Sequence, residues 1–201
     1  MRPIGTTKNG IKYLDESQLL RFKNAVRNGK NFQHELWFDL CLYFGLRVTE
    51  LTHLKVENIK EDIQGIEISG VKNGLTMTYP RIDAKLWKKL QRWLKIRSAR
   101  LGERSGAYIF SSPSYPTLPI SEQAVKSAFK NYLSDAGIDN GFSVHSLRHT
   151  CGVLKARAGE NPIEIKDWLR QRSLDSTLEY LRLIKFENQS ERASQIFSVY
   201  L

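Results

Sequence analysis

Residues 144–181 read VHSLRHTCGVLKARAGENPIEIKDWLRQRSLDSTLEYL and place a histidine, an arginine, a glutamine and a tyrosine in one short helical region. A tyrosine hydroxyl that attacks a phosphodiester needs cationic or amide donors around the non-bridging oxygens, because negative charge accumulates there in the transition state. His145, Arg148 and Gln171 are donors of this kind. The segment therefore predicts a phosphate-activating site in which Tyr180 is the nucleophile.

The charge of the chain points to a polyanionic partner. Its 201 residues include 31 Lys and Arg against 21 Asp and Glu, so the formal charge is +10 and the pI is near 9.6. Such a balance suits nucleic acid or an anionic membrane, and charge does not choose between them. No apolar run reaches membrane-spanning length, and MRPIGTTKNG at the start lacks the apolar core of a signal peptide. We therefore predict a cytoplasmic protein with no membrane partner.

The cysteines and histidines do not form a metal-binding pattern. Cys41 lies in the apolar run LWFDLCLYFGL and Cys151 in a predicted helix, which indicates two buried thiols. His145 and His149 are four residues apart, as metal ligands on a helix can be, but Arg148 lies beside them and a third ligand is missing nearby. We predict no metal and no cofactor, and a structural hydrogen bond for His149.

The first part of the chain predicts helices. DESQLLRFKNAVRNG begins with an acidic cap at Asp15 and ends at Gly29. HELWFDLCLYFGL is apolar on nearly all sides, which is typical of a central buried helix, and RVTELTHLK continues as another helical turn. Arg47 therefore follows a buried run, where it joins the candidate phosphate donors.

A β-hairpin and further helices follow. DIQGIEISGVKNGLTMTYPRI alternates apolar and polar residues around Asn73-Gly74, which predicts a hairpin with Lys72 at its turn. DAKLWKKLQRWLKIRSARLG predicts a helix whose basic face carries Arg92 and Lys95, as a solvated face or a DNA contact. We also predict a short strand at Tyr108–Phe110 and a helix in SEQAVKSAFKNYLSDAG. The fold class is mainly α with a small antiparallel β-hairpin or sheet (α+β).

Four segments in order resemble the tyrosine recombinases, the phage-integrase type of DNA strand-exchange enzyme. They are GLRVTEL, VKNG, HSLRHT and LRQRSLDSTLEY. The resemblance extends roughly from Leu14 to Leu183 and covers a catalytic domain only. VKNGLTMTYP and the lack of an N-terminal DNA-clamping domain also resemble the single-domain recombinases that invert fimbrial promoter segments. The resemblance implies the tyrosine recombinase catalytic-domain fold.

The resemblance also implies an organisation for the chain. Residues 1–201 would form a single catalytic domain, with a flexible N-terminus at 1–13 and a C-terminal tail at 186–201. The tail is apolar at its end, and it folds back on its own domain or docks on a neighbouring protomer. The implied partner is double-stranded DNA with inverted-repeat sites, bound by a protein that is monomeric in solution and tetrameric on paired sites. A bacterial nucleoid-associated location follows.

The resemblance assigns roles to the candidate residues. Tyr180 would form a covalent 3′-phosphotyrosyl link and release a 5′-hydroxyl, with neither metal nor ATP. Lys72 would protonate the leaving 5′-oxygen as a general acid. The remaining members of the implied site surround the scissile phosphate, and they are Arg47, His145, Arg148 and Gln171.

Two adjacent positions depart from the family pattern. Gln171 stands where the family usually has histidine or tryptophan, and Arg170 stands where it usually has glycine. A glutamine amide still donates to a phosphate oxygen but brings no charge, which Arg170 or Arg172 would then supply. We add both arginines to Arg92 and Lys95 as candidate DNA contacts. Two alternatives stay open: a relative that binds DNA without cutting it, and a helical transcription regulator.

Overall fold

A computed structural model describes residues 11–70, 75–102, 106–139 and 141–185. Within these ranges the chain forms helices and a three-stranded sheet, which confirms the predicted mainly α class with a small antiparallel sheet. The helices are α1 (Glu16–Asn28), α2 (Phe32–Tyr43), α3 (Val48–Thr52), α4 (Ala84–Leu101), α5 (Glu122–Asp135), α6 (His145–Arg157), α7 (Pro162–Trp168) and α8 (175–185). The strands are β1 (Ile59–Lys60), β2 (Gly65–Ser69) and β3 (Thr76–Tyr79).

Helix α2 is the centre of the fold, as its apolar sequence predicts. It contacts α1, α3, α4, α5 and α6. Its buried side chains include Leu36, Phe38 and Leu40. The ring of Phe38 meets the ring of Phe22 from α1 with a centroid distance of 5.4 Å and the ring of Phe129 from α5 at 5.8 Å. Burial of these large apolar side chains is the main force that fixes the helices around α2.

Local signals set the helix ends where the sequence predicts them. Asp15 caps α1 by accepting from the backbone of Gln18, whose side chain accepts in return from the Asp15 backbone. Gly29 follows the last turn of α1. Ser121 caps α5 through the backbone nitrogen of Ala124. The two predicted helices are therefore confirmed with their caps.

The predicted hairpin is present as β2 and β3. These strands pair antiparallel from Ile66 opposite Tyr79 to Ser69 opposite Thr76, and β1 adds to the other edge of β2. Its turn, which contains Lys72, lies outside the described residues. The predicted strand at Tyr108–Phe110 is wrong. The segment makes two isolated bridges with different partners, Lys55 with Tyr108 and Ser111 with Pro119, so no continuous ladder forms.

A second, smaller apolar cluster joins α6, α7 and α8. It contains Ile165 and Leu169 from the α7 region and Tyr180 from α8, all fully buried. Cys151 also lies there, and Cys41 lies in the main core, so the prediction of two buried thiols is confirmed. No helix in the described ranges is both long and apolar enough to cross a membrane.

Candidate active site

The buried carboxylate of Glu50 is the centre of the site. Glu50 lies in the first turn of α3, and Arg47 is the residue that precedes this helix. The Arg47 backbone nitrogen donates to Glu50 Oε2 at 2.9 Å, and Arg47 Nη1 donates to Oε1 at 2.7 Å. The Arg47 side chain is 41% exposed while that of Glu50 is fully buried. Glu50 thus holds Arg47 at the edge of the site with part of its guanidinium facing outward.

Arg148 reaches the same carboxylate from α6. Its Nη1 donates to the carbonyl of Gly45 at 2.7 Å and lies 4.0 Å from Glu50 Oε2, and its Nη2 donates to the carbonyl of Leu169. Gly45 has a φ of +59°, and a Cβ there would lie 2.3 Å from Leu169 Cδ2. Glycine therefore allows the turn before Arg47 to present its carbonyl to Arg148.

The Arg148 guanidinium is buried and still charged at neutral pH. Burial and the charges of Arg47 and Arg170 lower its pKa to about 10, while Glu50 and Tyr180 act in the opposite direction. A buried guanidinium near an outward-facing one is suited to bind two oxygens of one phosphate group.

Arg170 is wholly buried beneath these groups. Its Nη2 donates to Glu50 Oε2 at 2.8 Å, and its Nη1 donates to the hydroxyl of Tyr79 and to the carbonyl of Phe44, the latter at 3.2 Å. Its side chain has no exposed surface. In this DNA-free structure protein acceptors hold the Arg170 guanidinium in the interior, so the structure does not present this predicted DNA contact at the surface.

Two histidines of α6 stand side by side at the site. His145 is exposed, and its ring centroid lies 4.6 Å from that of His149 in an edge-to-face arrangement. The ring keeps an exposed edge, but desolvation by the surrounding protein and the charges of Arg148 and Arg47 lower the pKa of His145, although Glu50 opposes them. Burial, His145 and Arg148 lower the pKa of His149 to about 3, so both rings are mainly neutral at pH 7.

Tyr180 is fully buried and its hydroxyl is bonded to His149. The distance from the hydroxyl to His149 Nδ1 is 2.9 Å, which agrees with the structural hydrogen bond that we predict for His149. Burial raises the pKa of Tyr180 to about 12, while the Arg148 charge and a hydrogen bond with the Gln171 side chain act to lower it. The phenol is therefore neutral at physiological pH.

The ring of Tyr180 lies directly on the backbone of α6. A Cβ at Gly152 would lie only 2.3 Å from Tyr180 Cε2. The absence of a side chain at Gly152 therefore creates the space that the ring occupies. Gly152 lies about one helical turn after His149, which contacts the hydroxyl of the same tyrosine.

We expect Gly152→Ala to displace the Tyr180 ring and to lower the free energy of unfolding by about 1–3 kcal/mol, the usual cost of overpacking a dense interior. Thermal or urea unfolding measures this loss. The matched double variant Gly152→Ala with Tyr180→Ala removes the clashing ring, so its loss should be smaller than the sum of the two single losses. Additive losses would contradict the close contact.

Gln171 is placed beside the nucleophile. Its side chain is half-buried, and its Oε1 accepts a hydrogen bond from Thr177 Oγ1 at 2.7 Å. Because the amide oxygen is held by Thr177, the amide nitrogen is the group that remains to act as a donor. Gln171 therefore lies close to Tyr180 but adds no charge.

The structure brings most of the predicted catalytic residues together, while two of the predicted DNA contacts lie on another helix. Shared contacts connect Arg47, Arg148, His149, Gln171 and Tyr180 through Glu50 and the Tyr180 hydroxyl. His145 joins them through its ring contact with His149. Lys72 cannot be placed, because it lies outside the described ranges. The candidate DNA contacts Arg92 and Lys95 are exposed on α4, and Arg172 is exposed next to Gln171.

The sequence alone did not show the position of Glu50 as a shared partner. The spacing of three residues from Arg47 predicts a local ion pair, and that pair is present. The contacts with Arg148 and Arg170 join residues about a hundred positions apart, which no local pattern reveals. The available signal was that Glu50 is a carboxylate inside the GLRVTEL motif, directly after a buried apolar run.

Most of the chain matches a protein family. The model of the phage integrase family matches residues 12–186. The chain belongs to this family. It is 28% identical over 169 residues to the type 1 fimbriae regulatory protein FimB of Escherichia coli K12, covering 84% of this chain and 82% of that protein. It is 27% identical over 158 residues to a tyrosine recombinase of Pseudothermotoga lettingae, covering 79% of this chain and 52% of that protein.

Solved structures share the fold. The crystal structure of XerA recombinase superposes with a TM-score of 0.74 at 21% identity, covering 89% of this chain and 64% of that one. The post-cleavage complex of XerH recombinase also gives 0.74, at 18% identity, covering 92% of this chain and 53% of that one. The predicted catalytic-domain fold and the membership among tyrosine-type site-specific recombinases are confirmed.

Proposed function

We propose that this phage integrase family member cuts and reseals DNA strands through a covalent 3′-phosphotyrosine intermediate formed on Tyr180. The observation that carries the proposal is the Tyr180 hydroxyl beside the cluster of Arg148, Glu50 and Arg47. The nucleophile and the cationic groups therefore belong to one site, as covalent catalysis at a phosphate requires.

The side chains divide the chemistry between them. Arg47 and Arg148 bind the non-bridging oxygens of the scissile phosphate, where charge develops, and His145 and Gln171 add hydrogen bonds to the same group. The Tyr180 oxygen attacks phosphorus, the bond from phosphorus to the 5′-oxygen breaks, and the 5′-oxygen gains a proton from Lys72. The reverse attack by a 5′-hydroxyl on the phosphotyrosine reseals the strand.

Tyr180 must leave its buried position before it attacks. In this DNA-free structure its ring has no exposed surface and its hydroxyl is held by His149. A neutral phenol with a pKa of about 12 also has to lose its proton as it attacks, and the neutral ring of His149, whose Nδ1 lies 2.9 Å from the hydroxyl, is the acceptor within reach. We therefore propose that α8 shifts when DNA binds and a phosphate reaches Arg148 and Arg47.

The proposed partner is double-stranded DNA. The net charge of +10 supports an electrostatic footprint on phosphates. The shared fold with a XerH complex bound to a palindromic difH substrate supports the proposal of inverted-repeat sites. We propose one catalytic domain, monomeric in solution and tetrameric on paired sites, acting in the bacterial cytoplasm on nucleoid DNA. The tail at 186–201, outside the described residues, packs in cis or in trans in this scheme.

Trapping of a covalent protein–DNA adduct tests the proposal, and a library of duplexes makes the test independent of the target sequence. The full chain is incubated with a library of nicked duplexes that carry randomised sequence and the inverted repeats that flank its gene. Loss of the short strand beyond the nick traps any phosphotyrosyl link. Adducts that resist detergent are then sequenced, and the modified residue is mapped by mass spectrometry. Recovered adducts on Tyr180 support the proposal, whereas binding without any adduct supports the DNA-binding alternative.

The transcription-regulator alternative needs no shared site. A helical regulator uses exposed side chains to read a groove and has no use for a buried tyrosine beside two arginines. Arg148 bonds to the carbonyl of Leu169, which lies in the same apolar cluster as Tyr180, and this shared site favours the recombinase.

We expect DNA binding to weaken steeply as salt rises, because Lys and Arg contacts release counterions condensed on the phosphates. A log–log titration of the association constant against salt measures the slope. Arg92→Ala or Lys95→Ala should weaken binding to all sequences about equally and reduce the slope by about one. A slope near zero for the wild type would contradict the electrostatic account.

We expect Gln171→His to keep or raise the rate of adduct formation, since histidine also donates to a phosphate oxygen and adds positive charge when protonated. Gln171→Leu is the matched control, because it keeps a similar volume and removes the donor, so its rate should fall. Single-turnover rates on the nicked substrate provide the comparison. Equal rates for the wild type and Gln171→Leu would show that Gln171 does not contact the phosphate.

A further inference from the structure

Arg170 is a buried cation at a backbone position that disfavours it. Its φ is +52°, in the left-handed region where a side chain is strained and glycine is not. Its guanidinium is fully buried, which is costly unless the charge is paired and bonded. The pairing partner is Glu50, at 2.8 Å. The charge of this strained and buried arginine therefore acts first on Glu50.

Glu50 is one carboxylate among three guanidinium groups. Arg47 and Arg170 contact it at 2.7 and 2.8 Å, and Arg148 lies 4.0 Å away. With all four groups ionised, the cluster carries a net charge of +2. Without Arg170 the net charge would be +1, and Glu50 would cancel a larger share of the charge that Arg47 and Arg148 present to a phosphate.

The geometry divides the carboxylate between its partners. Glu50 Oε2 accepts from Arg170 Nη2 and from the Arg47 backbone, while Oε1 accepts from Arg47 Nη1. Arg148 stays at the longer distance and directs its short hydrogen bonds to the carbonyls of Gly45 and Leu169. The Glu50 oxygen nearest to Arg148 is therefore already bonded to Arg170.

The titration of Glu50 is consistent with this arrangement. Burial acts to raise the pKa of the Glu50 carboxyl, but the Arg170 charge and hydrogen bond, with further effects of Arg47 and Arg148, lower it below its usual range. Gln171, the next residue after Arg170, is neutral. The extra positive charge of this site therefore comes from beneath Glu50 and not from the position beside the nucleophile.

We propose that Arg170 is a positioning residue for strand cleavage, which neutralises Glu50 from the interior so that more of the positive charge of Arg47 and Arg148 acts on the DNA phosphate. This inference rests on the proposed function of the site. Arg170 itself contacts neither DNA nor the nucleophile, so its effect passes through Glu50.

Three substitutions test the inference in the full chain. Arg170→Met keeps an unbranched apolar stem and removes the charge, and Arg170→Lys keeps the charge without the planar fork. Arg97→Met is the matched control, because Arg97 is also buried and donates to the backbone carbonyls of Tyr108 and Gly106, away from the site. Melting temperatures establish which variants are folded at the assay temperature.

We expect Arg170→Met to slow adduct formation on the captured nicked substrate roughly 30- to 100-fold, the effect of one unit charge acting over several ångströms inside a protein. Arg170→Lys should recover most of the rate. Arg97→Met should cleave at nearly the wild-type rate. A folded Arg170→Met variant that cleaves as fast as the wild type would overturn the inference, as would equal losses in Arg170→Met and Arg97→Met.

The pH profile separates this role from a purely structural one. Removal of Arg170 raises the pKa of Glu50, so Glu50 becomes protonated in Arg170→Met at a higher pH than in the wild type. A neutral Glu50 no longer cancels the charge of Arg47 and Arg148. The rate deficit of Arg170→Met should therefore shrink as pH falls through that raised pKa, and a deficit that is independent of pH would count against the inference.

Measurement of DNA affinity tests the role of Arg170 independently of the proposed covalent chemistry. If the wild type forms no adduct on any library member, the proposed covalent chemistry fails. Arg170→Met should even then bind duplex DNA more weakly than Arg97→Met, because Glu50 without Arg170 cancels a larger share of the charge that Arg47 and Arg148 present. Equal affinities of the two variants would overturn the role of Arg170 by itself.

Discussion

Tyr180→Phe is expected to abolish the covalent DNA adduct while the protein stays folded and still binds DNA. The substitution removes the attacking oxygen and keeps the aromatic ring that fills the space above Gly152. It also breaks the hydrogen bond to His149, which should cost about 0.5–1.5 kcal/mol of stability. Detergent-resistant adduct on the nicked substrate and the dissociation constant for the same duplex are the two measurements.

Tyr132→Phe is the matched control for this prediction. The Tyr132 hydroxyl also contacts a histidine ring nitrogen, that of His34, at 3.1 Å, and it lies outside the site. Tyr132→Phe should therefore lose a similar hydrogen bond and form adduct at the wild-type rate. If Tyr180→Phe still forms adduct, another residue is the nucleophile, and Tyr200 in the apolar tail is the next to map.

Arg148→Ala is expected to lower the rate of strand cleavage about 1,000-fold, since loss of a donor to a developing phosphate charge costs up to about 4 kcal/mol in the transition state. It also leaves the carbonyls of Gly45 and Leu169 without their donor, so stability should fall as well. Single-turnover cleavage and thermal unfolding separate the two effects.

Arg97→Ala provides the control for Arg148→Ala. Both arginines are buried and both donate to main-chain carbonyls, but Arg97 packs at the end of α4. The two variants should lose comparable stability, and only Arg148→Ala should lose cleavage. A cleavage loss in Arg97→Ala of the same size would show that both rates report on unfolding and would contradict a specific role for Arg148.

The sequence predicts the elements that local chemistry determines. The capped helix after Asp15, the central apolar helix and the hairpin each depend on patterns within about a dozen residues, and all three are confirmed. The strand at Tyr108–Phe110 is wrong because the backbone of Ile109 bonds to Leu54 and that of Phe110 bonds to Ile120, so the segment makes isolated bridges with two partners and no ladder. Burial alone did not distinguish these two outcomes.

The site was predictable in composition and less so in geometry. Arg148 and Tyr180 were identified from their motifs, and the structure brings them together. The direction of the Arg170 side chain was not predictable, because it depends on a φ of +52° and on an acceptor 120 residues earlier. A charged residue at a glycine-like position was the signal, but that signal does not say which acceptor the side chain reaches.

The spacing of the Glu50 partners also has a consequence for biosynthesis. The ribosome delivers Arg47 and Glu50 early, Arg148 about a hundred residues later, and Arg170 and Tyr180 after that. A nascent chain that ends within α6 contains the proposed phosphate-binding arginines without the cation that pairs with Glu50 and without the proposed nucleophile. Under the proposed function, an unfinished polypeptide of this kind has the groups to touch DNA but no means to break it.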